Sequence, residues 1–391
     1  MKILLATLLA TVFFMLGFIA QAVAQPAALK TGDLDHINSE VLAETRQIYI
    51  HLPNGYHEGN DKQGVDERKQ YPVLLVLDAE WNFRKVVGIV DNLSASERIP
   101  PHIIIGIPNT LRAGRPARIQ DLAPSMNTAE DGASSFLSFI ADELIPHLDQ
   151  TYRTEPHYTL LGHSMGGLFT IYALLERPES FAAFIAISPS LGRNNQQQVA
   201  RASAVFAEQA NLNKNLHVVL GNEGGNTQAG TEALVSILEQ AAPEKLKWQF
   251  HPMVSEDHVS VFLPGTYKAM EAIFDGWKIP EAYLTDLDIS IVERHYAALS
   301  DKLGFDVPVP ARYYTEFGYK ILATQEYDYA QWTFEQYAAA YPHAAGPHVG
   351  MGDVQLMQGA FEAAQAAYKA ALERNANNTR AQHMLDTLLK R

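Results

Sequence analysis

Four stretches of the chain are apolar at almost every position: residues 71–77, 103–107, 182–187 and 216–220. Runs of this kind mark strands covered on both faces, as in a parallel sheet. A shorter run at 158–161 reads the same way. Residues 46–53 alternate between apolar and polar and predict an early strand, residues 54–70 form a polar, charged loop, and residues 247–254 predict a last strand. Helical spacing appears between them, at 83–94, 134–149, 168–177 and 231–241. Strands that alternate with helices predict an α/β class with a doubly wound, mostly parallel sheet, whose ligand sites gather at the carboxyl ends of the strands.

That rule directs attention to the residue after each strand. The run at 158–161 leads into Gly162-His163-Ser164-Met165-Gly166, followed by a helix. A G-x-S-x-G sequence at a strand-to-helix turn presents the Ser hydroxyl above the sheet edge, and the turn is too tight for side chains at the flanking positions. Ser164 is therefore the candidate nucleophile, with the Met165 amide aimed at the oxyanion that would form on attack at a carbonyl. The stretch after Leu77 lies where a second oxyanion donor is needed, which points to Glu80 or its neighbours. The loop after Ile107 carries Arg112, Arg115 and Arg118, which either face an anionic substrate or form a solvated basic loop. Glu223 follows the strand at 216–220 and is the candidate acid. His258 follows the last strand in a polar loop and is the candidate base. Glu256 and Asp257 are alternative acids, His217 and His251 fall inside strands, and His163 leaves the turn in another direction from Ser164. The order Ser164, Glu223, His258 is that of a Ser–acid–His triad on this kind of sheet.

Together, residues 71–78, the segment from Ile103 to Pro124, residues 136–146, Gly162 to Gly167 and Asp257-His258 resemble the putative-esterase family of α/β-hydrolases, which includes esterase D and the enterobactin-type siderophore esterases. The resemblance spans roughly Glu44 to Trp277. It implies that Ser164 is nucleophile and His258 base, and it carries the acid to Glu223 less directly, since relatives use Asp or Glu there. It implies no metal or cofactor. The loop after Asn109-Thr110 is longer than the family's compact Arg-rich version, so the resemblance does not carry substrate specificity.

Composition adds the compartment. Met-Lys, an apolar run to Ala20 and Ala22-Val-Ala24 before Gln25 have the layout of a secretory leader cut after Ala24, which predicts a periplasmic or secreted protein; a membrane anchor is the competing reading. There is no Cys, so the core must hold the chain without disulfides. Thirty Lys and Arg against 44 Asp and Glu give −14, and loss of Lys2 with the leader gives −15, which argues against a nucleic-acid partner.

Beyond a Pro-punctuated stretch at 307–310, positions 34 apart match: Gly318 with Gly352, Tyr327 with Phe361, Ala330 with Ala364, Phe334 with Tyr368 and Pro342 with Ala376. That period and pattern predict tetratricopeptide-like helical hairpins. The expected layout is a leader at 1–24, an esterase domain at 25–278, a connecting helix and linker at 279–310, and repeats at 311–391. Two repeats need cover for their apolar ends, from the hydrolase through residues 287–303 or from a protein partner or a second copy. The function expected is ester hydrolysis through an acyl-enzyme on a small-molecule ester, of the siderophore-lactone or small-acyl type. A repeat-based interaction protein with a vestigial hydrolase domain, or acyl transfer by the same triad, are the alternatives.

Overall fold

The computed structural model describes residues 30–56, 69–112, 114–125, 132–209, 211–285 and 287–390. The expected leader lies outside them, as does most of the polar loop after Tyr56. In chain order the elements are β1 (Asp33–Ser39), β2 (Glu44–His51), β3 (Tyr71–Leu77), α1 (Ala79–Ala95), β4 (Ile103–Ile107), the short β5 (Leu111–Arg112) and β6 (Arg115–Pro116), and α2 (Arg118–Leu122). Then come α3 (Gly132–Ser138), a π-helical turn (Phe139–Leu144), α4 (Ile145–Thr151), β7 (Thr154–His163), α5 (Met165–Glu176), β8 (Ala183–Ile187) and α6 (Gln197–Glu208). The sheet ends with β9 (Asn215–Gly221), α7 (Gly225–Ala241), β10 (Lys247–Met253) and α8 (Phe262–Ile273). A short 3₁₀ turn (Glu281–Leu284) is followed by six helices: α9 (Ile289–Leu303), α10 (Ala311–Ala323), α11 (Tyr327–Ala340), α12 (Gly346–Met357), α13 (Phe361–Arg374) and α14 (Thr379–Leu389).

Eight strands form one sheet in the order β1-β2-β4-β3-β7-β8-β9-β10, antiparallel at β1/β2 and β2/β4 and parallel elsewhere. From β3 the chain steps outward to β4 on one side, whereas from β7 it steps to β8 on the other. The switch point therefore falls between β3 and β7, and ligands bind in the crevice beyond the carboxyl ends of those two strands. Every residue of β3 is buried. Its side chains alternate between two cores: Val73, Leu75 and Leu77 join α5, α6 and α7 on one face, and Leu74 and Val76 join α1, α8 and α9 on the other.

The second core does not stop at the sheet. It runs through Val307 and Val309 into Tyr313, Phe317, Phe334 and Val354, so the C-terminal helices pack on the hydrolase layer through α9, as expected for residues 287–303. Positions 34 apart occupy matching places. A Cβ on Gly318 would lie 2.5 Å from the Phe334 ring and one on Gly352 would lie 2.6 Å from the Tyr368 ring, so only glycine lets the paired helices approach. The buried Asp353 carboxylate accepts Tyr319 and Tyr368 hydroxyls, each at 2.7 Å, and Arg380 Nη2 at 2.8 Å, which ties three helices to one charge.

Phe334 is fully buried between Gly318 and Gly350, and Phe334→Ala should cost about 3–5 kcal/mol, read as a lowered denaturant midpoint. Acid should also weaken the fold. Burial holds His102 and His217 at a folded pKa of about 3 and His157 at about 4, below the ordinary value of 6.5. The unfolded chain then binds more protons as pH falls below 6.5, so the stability they lend is present above that value and is lost progressively between about pH 6.5 and 3. Thermal unfolding at pH 7.5 and 4.5 checks this; equal melting temperatures would contradict it.

Candidate active site

The turn from β7 into α5 is held by close backbone approach. A Cβ on Gly162 would sit 2.1 Å from the Gly166 carbonyl oxygen, so any other residue would open the turn. Ser164 sits at its apex with φ 57° and ψ −112°, a conformation that costs a non-glycine residue about 1–3 kcal/mol and must be enforced by its surroundings. The enforcement comes from the end of β8: Ser164 N donates to Ile187 O at 2.9 Å, and Ser190 N donates to Ser164 O at 2.9 Å.

His258 and Glu223 arrive from the loops after β10 and β9. His258 Nδ1 meets Glu223 Oε2 at 2.6 Å, and the carboxylate is 5% exposed whereas the imidazole is 38% exposed. The other Glu223 oxygen accepts the Ser188 hydroxyl. A carboxylate so placed fixes the Nδ1–H tautomer and would stabilise an imidazolium. Asp257, the alternative acid, accepts the Val259 and Ser260 amides at 2.8 Å each and so caps its own turn. Glu256 contributes its backbone carbonyl, which accepts the Asn222 amide at 2.6 Å. His163 Nε2 donates to the His258 carbonyl at 2.6 Å, and burial lowers its pKa to about 4, so it is a neutral prop under the His258 loop. His217 and His251 bond each other at 3.1 Å inside β9 and β10. Ser164 Oγ shares a hydrogen bond with Ser190 Oγ at 3.2 Å.

Two helix starts meet beside Ser164. The amides of Met165 and Gly166 open α5, and those of Ala79 and Glu80 open α1, where intrahelical acceptors do not reach. Asp78, the residue before α1, has a left-handed backbone with φ 53°, and a Cβ on Gly166 would lie 3.2 Å from its Oδ2, so the two ends touch. Four amides and two positive helix ends thus bound one side of the crevice, a setting suited to a developing negative charge.

A family profile described as Putative esterase matches residues 39–271, more than half of the chain. The chain belongs to the putative esterase family. Ferri-bacillibactin esterase BesA of Bacillus subtilis (strain 168) is 25% identical over 217 residues, 49% of this chain and 74% of that protein. Siderophore enterobactin esterase of Emericella nidulans is 30% identical over 194 residues, 44% of this chain and 62% of that protein. Among solved structures, an IroE-like serine hydrolase from Shewanella oneidensis matches with a TM-score of 0.62 at 25% identity, over 75% of this chain and 95% of that one. An uncharacterised protein from Capnocytophaga ochracea shares the fold over 92% of this chain and 99% of its own, with a TM-score of 0.63 at 16% identity, a span that takes in C-terminal helices. The esterase is a carboxylic ester hydrolase by family and fold.

The three arginines of the esterase's β4–α2 loop divide. Arg112 bonds both Glu44 oxygens at 3.0 and 3.1 Å and Asp121 at 3.2 Å, in a network with the fully buried Arg46. Arg118 grips both oxygens of Asp78 at 2.6 and 2.8 Å and lies over the exposed Trp81 ring at 5.5 Å. Asn109 completes the lock, with its side-chain amide 2.7 Å from Asp78 Oδ1 and from Glu80 Oε1. Arg115 alone is exposed with no side-chain partner among the described residues.

Three contributors escaped the reading of the sequence, Asn109, Ser188 and Ser190, and Asp78 was read only as part of the oxyanion loop, not as the carboxylate that Arg118 and Asn109 hold. Ser188 and Ser190 stand directly after β8, so the strand-end rule pointed to them once that strand was recognised. Asp78 and Asn109 follow β3 and β4 in the same way.

Replacing Arg118 strands a carboxylate whose side chain is 2% exposed. Arg118→Met should therefore destabilise by on the order of 3–5 kcal/mol and lower ester turnover, whereas Arg115→Met should stay within about 0.5 kcal/mol of wild type. Urea unfolding of the two variants side by side makes the comparison, and equal midpoints would show that the Asp78 lock contributes nothing.

Proposed function

We propose that the protein is an exported serine esterase. Ser164 attacks the ester carbonyl, His258 takes its proton, and Glu223 holds the imidazole and balances its charge. The oxyanion is received by the Met165 amide and by an amide at the start of α1, that of Glu80 or its neighbour Ala79. The alcohol leaves with the proton from His258, and water, deprotonated by the same imidazole, then releases the acid from the acyl-enzyme. What carries this reading is the 2.6 Å contact of His258 Nδ1 with the enclosed Glu223 carboxylate, beside a Ser on a strained elbow. The hydroxyl's present partner, Ser190 Oγ, is replaced by His258 Nε2 through rotation about Cα–Cβ as substrate enters, since such hydrogen bonds commonly tighten only in the complex.

For the substrate, the siderophore esterases among the relatives favour an ester or lactone of that class, with small acyl esters as the broader set. The A-x-A pattern ahead of Gln25 favours export to the periplasm or the medium.

Ser164→Ala should keep the fold and lower turnover by several orders of magnitude, leaving a residual of about 10³ to 10⁴ over water from binding and the amides. His258→Ala should fall into the same class. The assay is the mature protein against p-nitrophenyl esters of graded length beside a tri-catecholate lactone. Near-normal turnover in Ser164→Ala, or its loss in His251→Ala but not His258→Ala, would overturn the assignment.

A further inference from the structure

A cleft of about 630 Å³ opens at the amino ends of β9 and β10, the opposite end of the sheet from Ser164. Seven residues of β9 separate the two, about 20 Å at the usual rise of a strand. The volume lies in the range of small-molecule sites. Its walls come from β9, β10, the end of α8 and the last turn of α9, so it sits where the sheet meets the helical extension.

The charge of its lining runs against that of the chain. Arg98, Lys247, Lys268, Lys278 and Lys302 face Glu271 and Asp275, five cations to two anions, in a protein whose formal charge is −14. Both carboxylates are already engaged, Glu271 by Arg98 and, at 3.7 Å, by Lys268, and Asp275 by Lys302 at 3.5 Å. Lys302 Nζ also takes the Asp275 carbonyl at 2.5 Å, which covers part of the negative end of α8. Lys247 reaches only the Lys302 carbonyl, at 3.4 Å, and Lys278 has no carboxylate partner among the described residues. Two uncompensated ammonium groups therefore face the same space.

The floor is polar and fixed. His217 lines the cleft while only 3% exposed, its Nδ1 held by His251 Nε2 at 3.1 Å. Trp248 adds an aromatic wall beside it. Like charges gathered in a concave site repel one another, and a bound anion relieves that repulsion while the low-dielectric walls strengthen its attraction.

We propose that this cleft binds a small, multiply charged oxyanion, with Lys247 and Lys278 as its principal partners. The chemistry fits a phosphate-bearing small molecule or a polycarboxylate, and the site is separate from the ester-cleaving crevice.

The test is thermal unfolding of the mature chain in inorganic pyrophosphate and, separately, in citrate, each against sodium chloride at the same ionic strength. The expected result is a saturable rise of about 2–4 °C when the anion reaches about ten times its Kd, absent in the double variant Lys247→Glu, Lys278→Glu. Both lysines are exposed and far from Ser164, so normal ester turnover by the variant certifies its fold. The stronger of the two anions distinguishes a phosphate from a carboxylate source. A wild-type response no larger than that to sodium chloride, or one that persists in the double variant, would overturn the proposal; the wild-type titration decides by itself should the variant fold poorly.

Discussion

The approach of the Gly162 α-carbon to the Gly166 carbonyl is the constraint on which the rest of the site depends. With 2.1 Å between that oxygen and where a Cβ would stand, the chain can turn from β7 into α5 within a few residues only if position 162 is bare. The strain this puts into Ser164 is sustained by hydrogen bonds from the end of β8, so the apex is defined by a neighbouring strand and not by its own turn. Glu223, His258, Asp78 and Ser190 all take their places relative to that apex. Each stands just past the carboxyl end of a different strand.

Much of this was legible in the sequence. Fully buried strands announce themselves because both faces demand apolar side chains, and β3, β4 and β8 were read for that reason. Ser164, Glu223 and His258 followed from asking what comes after each strand, and the structure brings Glu223 and His258 into contact on the same crevice as Ser164. What escaped was structure whose cause lies elsewhere in the chain. β1 is mostly exposed and carries no apolar period; it is placed by pairing with β2 along one edge, with Ile37 alone of its apolar side chains in the core. The helical segment after Gly132 read as one element, but a π turn at Phe139–Leu144 interrupts it, a change of hydrogen-bond step that leaves no mark in periodicity.

The arginines show the same limit for charge. Sequence could say that three lie in one loop, not which carboxylates stand opposite. Glu44 lies 68 positions from Arg112, and Asp78 lies 40 from Arg118. These pairings, with Arg46 enclosed among Phe136 and Phe139, make the loop part of the scaffold and leave Arg115 facing solvent.

The helices α1 and α5, whose starts meet beside Ser164, belong to opposite layers of the sheet: Phe83 and Val86 of α1 pack in one core, Leu168 and Phe169 of α5 in the other. The gap between their first amides is thus a gauge of the sheet's thickness. Swelling or thinning in either layer, even from a side chain with no line of sight to the crevice, shifts one helix start against the other. Catalytic rate then becomes a readout of packing on both faces at once, and repacking one layer calls for a matching adjustment in its opposite.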